Sequence, residues 1–256
     1  MPNVKIKCFV LSDIHLEMLT AKQIDDFFKE LTLRVDKHNP DVIVMAGDVT
    51  SLHNRVRLQT TFQRFSDLHR PMVYVAGNHE YYKYSITKGK TELEELSKAF
   101  SNLHVLTSGT KVDINGVGFV GDTLWYPKSK DWRLNGGITD HRLISDHQRE
   151  VHRCYEDFVS KCVPTISKDC IVVTHHMPFN GCINQKFQDD PYNHFFMTDC
   201  SRFIDIYNAP RAWIHGHGHD PVDLILPTDT RVFSNPMAYV GEGTNPNFWD
   251  RMLVEL

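Results

Sequence analysis

The chain has 256 residues, 41% hydrophobic and 23% charged, the balance of a folded globular protein rather than a disordered one. Its 28 Lys and Arg stand against 32 Asp and Glu, and a net charge of −4 gives no bulk attraction to a polynucleotide, so a nucleic-acid polymer is not the expected partner. Apolar runs such as Val42 to Ala46 are far too short to span a bilayer, and at this length one domain over residues 1–256 is the expectation.

Lys5 to Leu11 turns apolar and ends at Ser12-Asp13, the pattern of a buried strand rather than a secretory signal. Ala21 to His38 carries Ile24, Phe27, Phe28, Leu31 and Val35 at helical spacing, and Asn39-Pro40 stops it. Val42 to Ala46 is a second buried strand, Val56 to Leu68 a helix, and Met72 to Ala76 a third strand. This alternation predicts β-α-β units and a largely parallel first half. Lys83 to Lys90 reads as a solvated loop, Thr91 to Phe100 as a helix and His104 to Leu106 as a short strand. Val112 to Val120 turns at Asn115-Gly116 and predicts a hairpin. Leu124 to Asp140 reads as a long loop, and Ser145 to Cys162 as a helix capped by Ser145. Cys170 to Val173 is another strand, Asn180 to Asn193 is irregular, and Asp199 to Tyr207 is a short helix. Ala212 to Ile214 is a strand, and Val222 to Leu226 with Arg231 to Phe233 form a late strand pair.

The six cysteines contain no C-x-x-C pair and read as reduced thiols of a cytoplasmic protein. The 15 histidines matter more, because several follow strands directly. Five apolar strands end in Asp13-Ile14-His15, Gly47-Asp48, Gly77-Asn78-His79-Glu80, His175-His176 and His217-Gly218-His219. Sites in α/β sheets gather at the carboxyl ends of strands, so these segments are expected on one edge of the fold. Carboxylate, imidazole and amide oxygen without thiolate suit manganese, iron, zinc or cobalt better than a structural zinc. Asp13, His15, Asp48, Asn78, His217, His219 and one of His175 and His176 make more ligands than a single open catalytic zinc takes. They suit two ions that share a carboxylate, an arrangement able to activate water for in-line displacement at phosphorus.

The ordered array D-x-H, G-D, G-N-H-E, H and G-H-x-H, spanning residues 13–219, resembles the calcineurin-like metallophosphoesterase superfamily. The resemblance implies an α/β fold of two mixed β-sheets packed as a sandwich with helices outside, and a metal site at strand carboxyl ends. It implies two divalent ions, manganese favoured, and hydrolysis of a phosphomonoester or phosphodiester by a hydroxide bridging them. By resemblance Asp13, His15 and His219 bind one ion, Asp48 bridges, and Asn78, His217 and the strand-end histidine bind the other. His79 is not a ligand but assists the leaving oxygen. His175 is preferred as that histidine, directly after its strand, with His176 the alternative or a group behind the ligands.

Other readings stand beside these. Glu80 is expected to accept backbone hydrogen bonds in its loop, and His215 to be packed in its strand. His53 and His194 fall in predicted loops. Tyr81 and Tyr82 after the G-N-H-E motif, Trp125-Tyr126 and Asn180 are candidates for the substrate pocket, with core packing the other reading of the tyrosines. A non-catalytic metal-binding scaffold on the same fold, or a metallohydrolase acting on a non-phosphorus bond, are the alternatives to a phosphoesterase.

Overall fold

The structure, a computed structural model, describes residues 4–128 and 132–256. Strands β1 (Lys7–Leu11), β2 (Val42–Ala46), β3 (Met72–Val75) and β4 (Leu103–Val105) pair in parallel. The second sheet holds β5 (Lys111–Ile114), β6 (Val117–Asp122), β7 (Cys170–Thr174), β8 (Ala212–His215), β9 (Val222–Ile225) and β10 (Arg231–Ser234) in the order β5-β6-β7-β8-β10-β9. There β6, β7, β8 and β10 run parallel, and β5 and β9 are antiparallel edges. A short strand, β11 (Leu253–Glu255), closes the first sheet antiparallel to β1. No sequence pattern signalled β11.

The two sheets stack face to face, and side-chain alternation shows why each central strand is apolar throughout. Cys8 and Val10 of β1, with Val44 and Val73, point between the sheets and meet Phe119, Ile171 and Ile214. Phe9 and Leu11 point the other way, onto Phe27, Phe28, Phe62 and Phe65 of α1 (Ala21–His38) and α2 (Arg55–Ser66). Val120, Val172 and Trp213 face outward from the second sheet onto Phe158, Phe179 and Cys162. All six cysteines are buried free thiols. Among the described residues no helix is long and apolar enough to cross a membrane.

Several local expectations are met. Thr20 and Gln23 form a capping box at the start of α1, and Asn39 ends it in the left-handed conformation. Asn115 and Gly116 both have positive φ, the two-residue turn that joins β5 to β6. Others are corrected. Lys83 to Lys90 is not a solvated loop, because α3 (Ile86–Ala99) starts inside it with Ser85, Ile86 and Gly89 buried. Within the expected loop at Leu124 to Asp140, residues 129–131 lie outside the described residues, and α4 (Thr139–Leu143) begins before its end. Asp146, not Ser145, precedes α5 (His147–Asp157), which continues as a π-helical turn at Phe158–Cys162. The irregular stretch after β7 ends in a single turn, α6 (Asn193–Phe196). Asp199 to Tyr207 holds only a 3-10 turn at Ser201–Phe203, because the Asp199 and Asp205 carboxylates accept Ser201 N–H and Tyr207 N–H and favour turns over helix.

Candidate functional site

The loops leaving β1, β2, β3, β7 and β8 share one edge of the sandwich and are tied together before any ligand is considered. Asp13 N–H donates to the Gly47 carbonyl (3.0 Å) and His15 N–H to the Asp48 carbonyl (2.9 Å). Glu80 is the organiser of this edge. Its carboxylate accepts the N–H groups of Gly77 (2.7 Å), Val49 (2.7 Å) and Asp48 (3.0 Å), and the Tyr74 hydroxyl (2.9 Å). Burial, then the neighbouring Asp48 carboxylate, push its carboxyl up to about 8, while the Val49 N–H favours the ionised form. The Asp13 carboxylate accepts His217 N–H (2.9 Å), and Asp48 accepts His79 N–H (2.9 Å). These turns demand unusual backbone: Asp13, His15, Asp48, His217 and His219 all have φ between 48° and 67°. Gly47 has φ +87°, and a β-carbon there would overlap the His175 ring.

Side chains from these loops converge in two groups. Asp13, His15 and His219 place ligand atoms close together, with His15 Nε2 at 3.2 Å from His219 Nε2 and His219 Nε2 at 3.7 Å from Asp13 Oδ1. Asp48, His175 and His217 form the second group. His175 Nε2 lies 3.4 Å from Asp48 Oδ2, 3.1 Å from His217 Nδ1 and 2.9 Å from Asn78 Oδ1. His15 Nε2 is also 3.8 Å from Asp48 Oδ2, so Asp48 stands between the groups. His79 makes a third group with His15 and Asp48.

The donor set fits a cation. His15 Nδ1 faces Glu17 Oε1 (3.2 Å), His175 Nδ1 the Ala46 carbonyl (2.9 Å) and His219 Nδ1 Glu242 Oε2 (2.8 Å). A proton held at each outer nitrogen leaves the inner nitrogen as a lone pair, the arrangement of metal-bound histidines. Inner nitrogens 3.1–3.2 Å apart can then aim at a shared positive charge. Asp140 orients Asn78 in the same sense: it accepts the Asn78 amide N–H (2.8 Å) and the Tyr82 hydroxyl (2.7 Å), turning Asn78 Oδ1 inward. The electrostatics agree. Burial opposes the charge on Asp48, but the surrounding imidazoles outweigh it and hold the carboxyl well below its usual range. Burial likewise opposes the His175 imidazolium, yet Asp48 raises that ring to about 10. Desolvation, with His176 and His175 alongside, drives the half-buried His217 well below the usual histidine value. A buried carboxylate thus draws positive charge to this spot.

A profile of the calcineurin-like phosphoesterase family matches residues 6–221. The chain belongs to that family. An uncharacterised protein of Acanthamoeba polyphaga mimivirus is 25% identical over 278 residues, which cover 96% of this chain and 97% of that protein. Among solved structures, a Thermus thermophilus protein superposes with a TM-score of 0.60 at 12% identity over 99% of each chain. A dimetal phosphatase from Danio rerio gives 0.53 at 13% identity, over 90% of this chain and 86% of that one. At such identities the likeness to solved structures is one of fold.

With the family established, the strand-end histidines separate. His176 is buried but joins neither group; its Nδ1 meets the Thr123 carbonyl (3.1 Å) and its ring packs on Trp125. Burial and the nearby His175 push it down to about 3. His215 is fully buried in β8, as expected of a packed residue. The pocket candidates need correction. A cavity of about 510 Å³ opens onto Asp48, Asn78, His79, His217 and His219, and its lining includes none of Tyr81, Trp125 and Asn180. Tyr81 and Trp125 are core residues in contact with each other, and Asn180 is exposed outside the lining. Of the two tyrosines after the G-N-H-E motif it is Tyr82 that lines the cavity, and so do Ile183, Tyr192 and Phe196 of the segment after β7. His53 hydrogen-bonds Ser51 and His194 packs on Phe195; neither histidine lines the cavity.

Four residues of the site escaped the sequence reading: Glu17, Asp140, Tyr239 and Glu242. The Tyr239 hydroxyl lies 3.1 Å from His79 Nε2, and Glu17 Oε1 lies 3.3 Å from His79 Nδ1. Glu17, two residues beyond the D-x-H motif, was the one with a usable signal. Asp140 of α4 and the loop residues Tyr239 and Glu242 are brought near only by the tertiary structure.

Proposed function

We propose that this member of the family hydrolyses phosphate esters with the help of two divalent ions, manganese favoured, as a single catalytic domain. Asp13, His15 and His219 are assigned to one ion, Asn78, His175 and His217 to the other, and Asp48 to both. The observation that carries the reading is the meeting of two His/Asp groups at Asp48, with a further imidazole, His79, beside them on the cavity. Bound ions supply Lewis acidity towards phosphoryl oxygen and water.

The protein's own part follows from its side chains. Glu17, the Ala46 carbonyl and Glu242 hold the outer nitrogens of His15, His175 and His219, so their rings are set before ligand arrives. Burial opposes the His79 imidazolium, but the Asp48 and Glu17 carboxylates outweigh it and raise the ring to about 9 in the absence of ions. Glu17 faces Nδ1 and so favours a proton there, and Nε2, on the side of the Tyr239 hydroxyl, is the nitrogen that would serve the departing alcohol oxygen or charge developing at phosphorus.

The test is metal content by mass spectrometry together with turnover of p-nitrophenyl phosphate and bis-p-nitrophenyl phosphate. Asp48→Asn is expected to lose bound ion and activity together. His79→Ala is expected to keep both ions and to lose roughly 10²–10⁴ in kcat. Two bound ions with no turnover would favour a scaffold, and turnover indifferent to either substitution would overturn the assignment.

A further inference from the structure

The cavity beyond the ligand groups has a composition of its own. Among the described residues its lining holds no lysine or arginine, yet it holds Asp140, Asp190, Asp220 and Glu242 in addition to Asp48. Asp140 and Glu242 are engaged with Asn78 and His219, whereas Asp190 accepts Tyr192 N–H (2.8 Å) and Asp220 belongs to neither ligand group. Lys186, outside the lining, lies 3.9 Å from Asp220 and over the Phe187 ring. Two aromatic rings flank the His/Asp groups. Phe196 stacks on His217 with centroids 4.8 Å apart, and Tyr239 packs on His15 (4.5 Å) and His219 (4.6 Å). Both rings stay more than a third exposed, as does Phe187 on the same wall.

From these observations we infer that the substrate is a small phosphate ester with one phosphate group, whose organic part is apolar or planar and bears no second anion. This inference rests on the proposed function. Two divalent ions carry more positive charge than the Asp13 and Asp48 carboxylates cancel, which draws an anionic phosphate group to them. A second phosphate or a carboxylate on the organic part would instead meet Asp190 and Asp220, with no lysine or arginine of the described lining to receive it. Nucleoside polyphosphates, polynucleotides and acidic phosphopeptides are disfavoured on that ground. The exposed rings offer a face for a planar or apolar body, and a volume of about 510 Å³ falls in the range of small-molecule sites. Residues 182–196 supply nine of the 24 described lining residues, more than any other segment, so specificity resides there rather than in the shared motifs.

The experiment is calorimetric binding to the Mn²⁺-loaded full chain of methylphosphonate, phenylphosphonate, and phenylphosphonate bearing a 4-carboxylate or a 4-trimethylammonium group. None of these is hydrolysed, so the readout does not depend on turnover. Phenylphosphonate is expected to bind roughly tenfold tighter than methylphosphonate, and Phe196→Ala to remove most of that gap. The 4-carboxylate is expected to bind roughly tenfold weaker than phenylphosphonate, and the cation no weaker. A chain carrying both Asp190→Lys and Asp220→Lys is expected to invert that order; neither residue is buried, so the fold should survive, which its melting curve checks. Equal affinity for the carboxylate and neutral ligands, or no response to charge reversal, would overturn the inference. If p-nitrophenyl phosphate is still cleaved in that event, the proposed function stands without it. If none of the four ligands binds the loaded protein, both fall.

Discussion

At the scale of the residue, adjacent histidines on one strand end do different work. His175 reaches Asp48, Asn78 and His217, whereas His176 is held against Thr123 and Trp125. His175→Ala is therefore expected to lose an ion while remaining folded. His176→Ala is expected to keep its ions but to lose about 2–4 kcal/mol of stability from the cavity left in the core. Metal analysis and denaturant melts on the two variants separate these outcomes. His147 gives a pH dependence. Burial, helped by His141 and opposed by Asp146, lowers its pKa to about 4, and its Nε2 meets the Tyr126 hydroxyl. Above pH ~6.5 the ring is neutral both folded and unfolded, so its contribution is constant. As pH falls from ~6.5 towards 4, only the unfolded chain takes up the proton, and up to about 3 kcal/mol of stability is lost. Replacing His147 with Gln should flatten that part of a plot of melting temperature against pH.

At the scale of the element, the central strands were legible because both faces of each are buried, and burial on two sides leaves a continuous apolar run. The motifs after those strands were legible for a related reason: ligand chemistry confines each of those positions to a few residue types. What escaped was set from a distance. The start of α3 has a local cap, Ser85 Oγ accepting Lys88 N–H (3.1 Å), but a lone serine among polar residues reads equally as a loop, and the second anchor comes from another element. The Asp146 carboxylate, sixty residues on, accepts the N–H groups of Ile86 (2.7 Å) and Thr87 (3.0 Å). No local window contains that partner. Asp146→Ala is expected to cost about 1–2 kcal/mol and to fray the first turn of α3, read as faster amide exchange at Ile86 and Thr87. Strand β11 escaped because three residues carry too little periodicity, and its place depends on pairing with β1. Asp140 and Tyr239 escaped for the same reason at the site, since each acts through a side chain distant in sequence.

At the scale of the whole molecule, five loops from two sheets are held at one edge, and the ligand groups draw on both halves of the chain. Asp13 and His219 are in contact although most of the sequence lies between them. An ion held by these groups would link the sheets, and its binding energy would add to folding free energy. Melting temperature is expected to rise with Mn²⁺ concentration, with about 2.7 kcal/mol gained at a hundred times the dissociation constant, and to fall on chelation. A melt that ignores both treatments would argue that the groups hold no ion.

The left-handed backbone at Asp13, His15, Asp48, His217 and His219 carries a consequence for how such a chain changes over time. Each position is one where glycine would fit with less strain, yet glycine brings no ligand. Selection for robustness alone would erode these residues, and selection for chemistry alone keeps them. In a descendant released from catalysis, glycine or asparagine should accumulate first at these turns, leaving the apolar strands behind them intact.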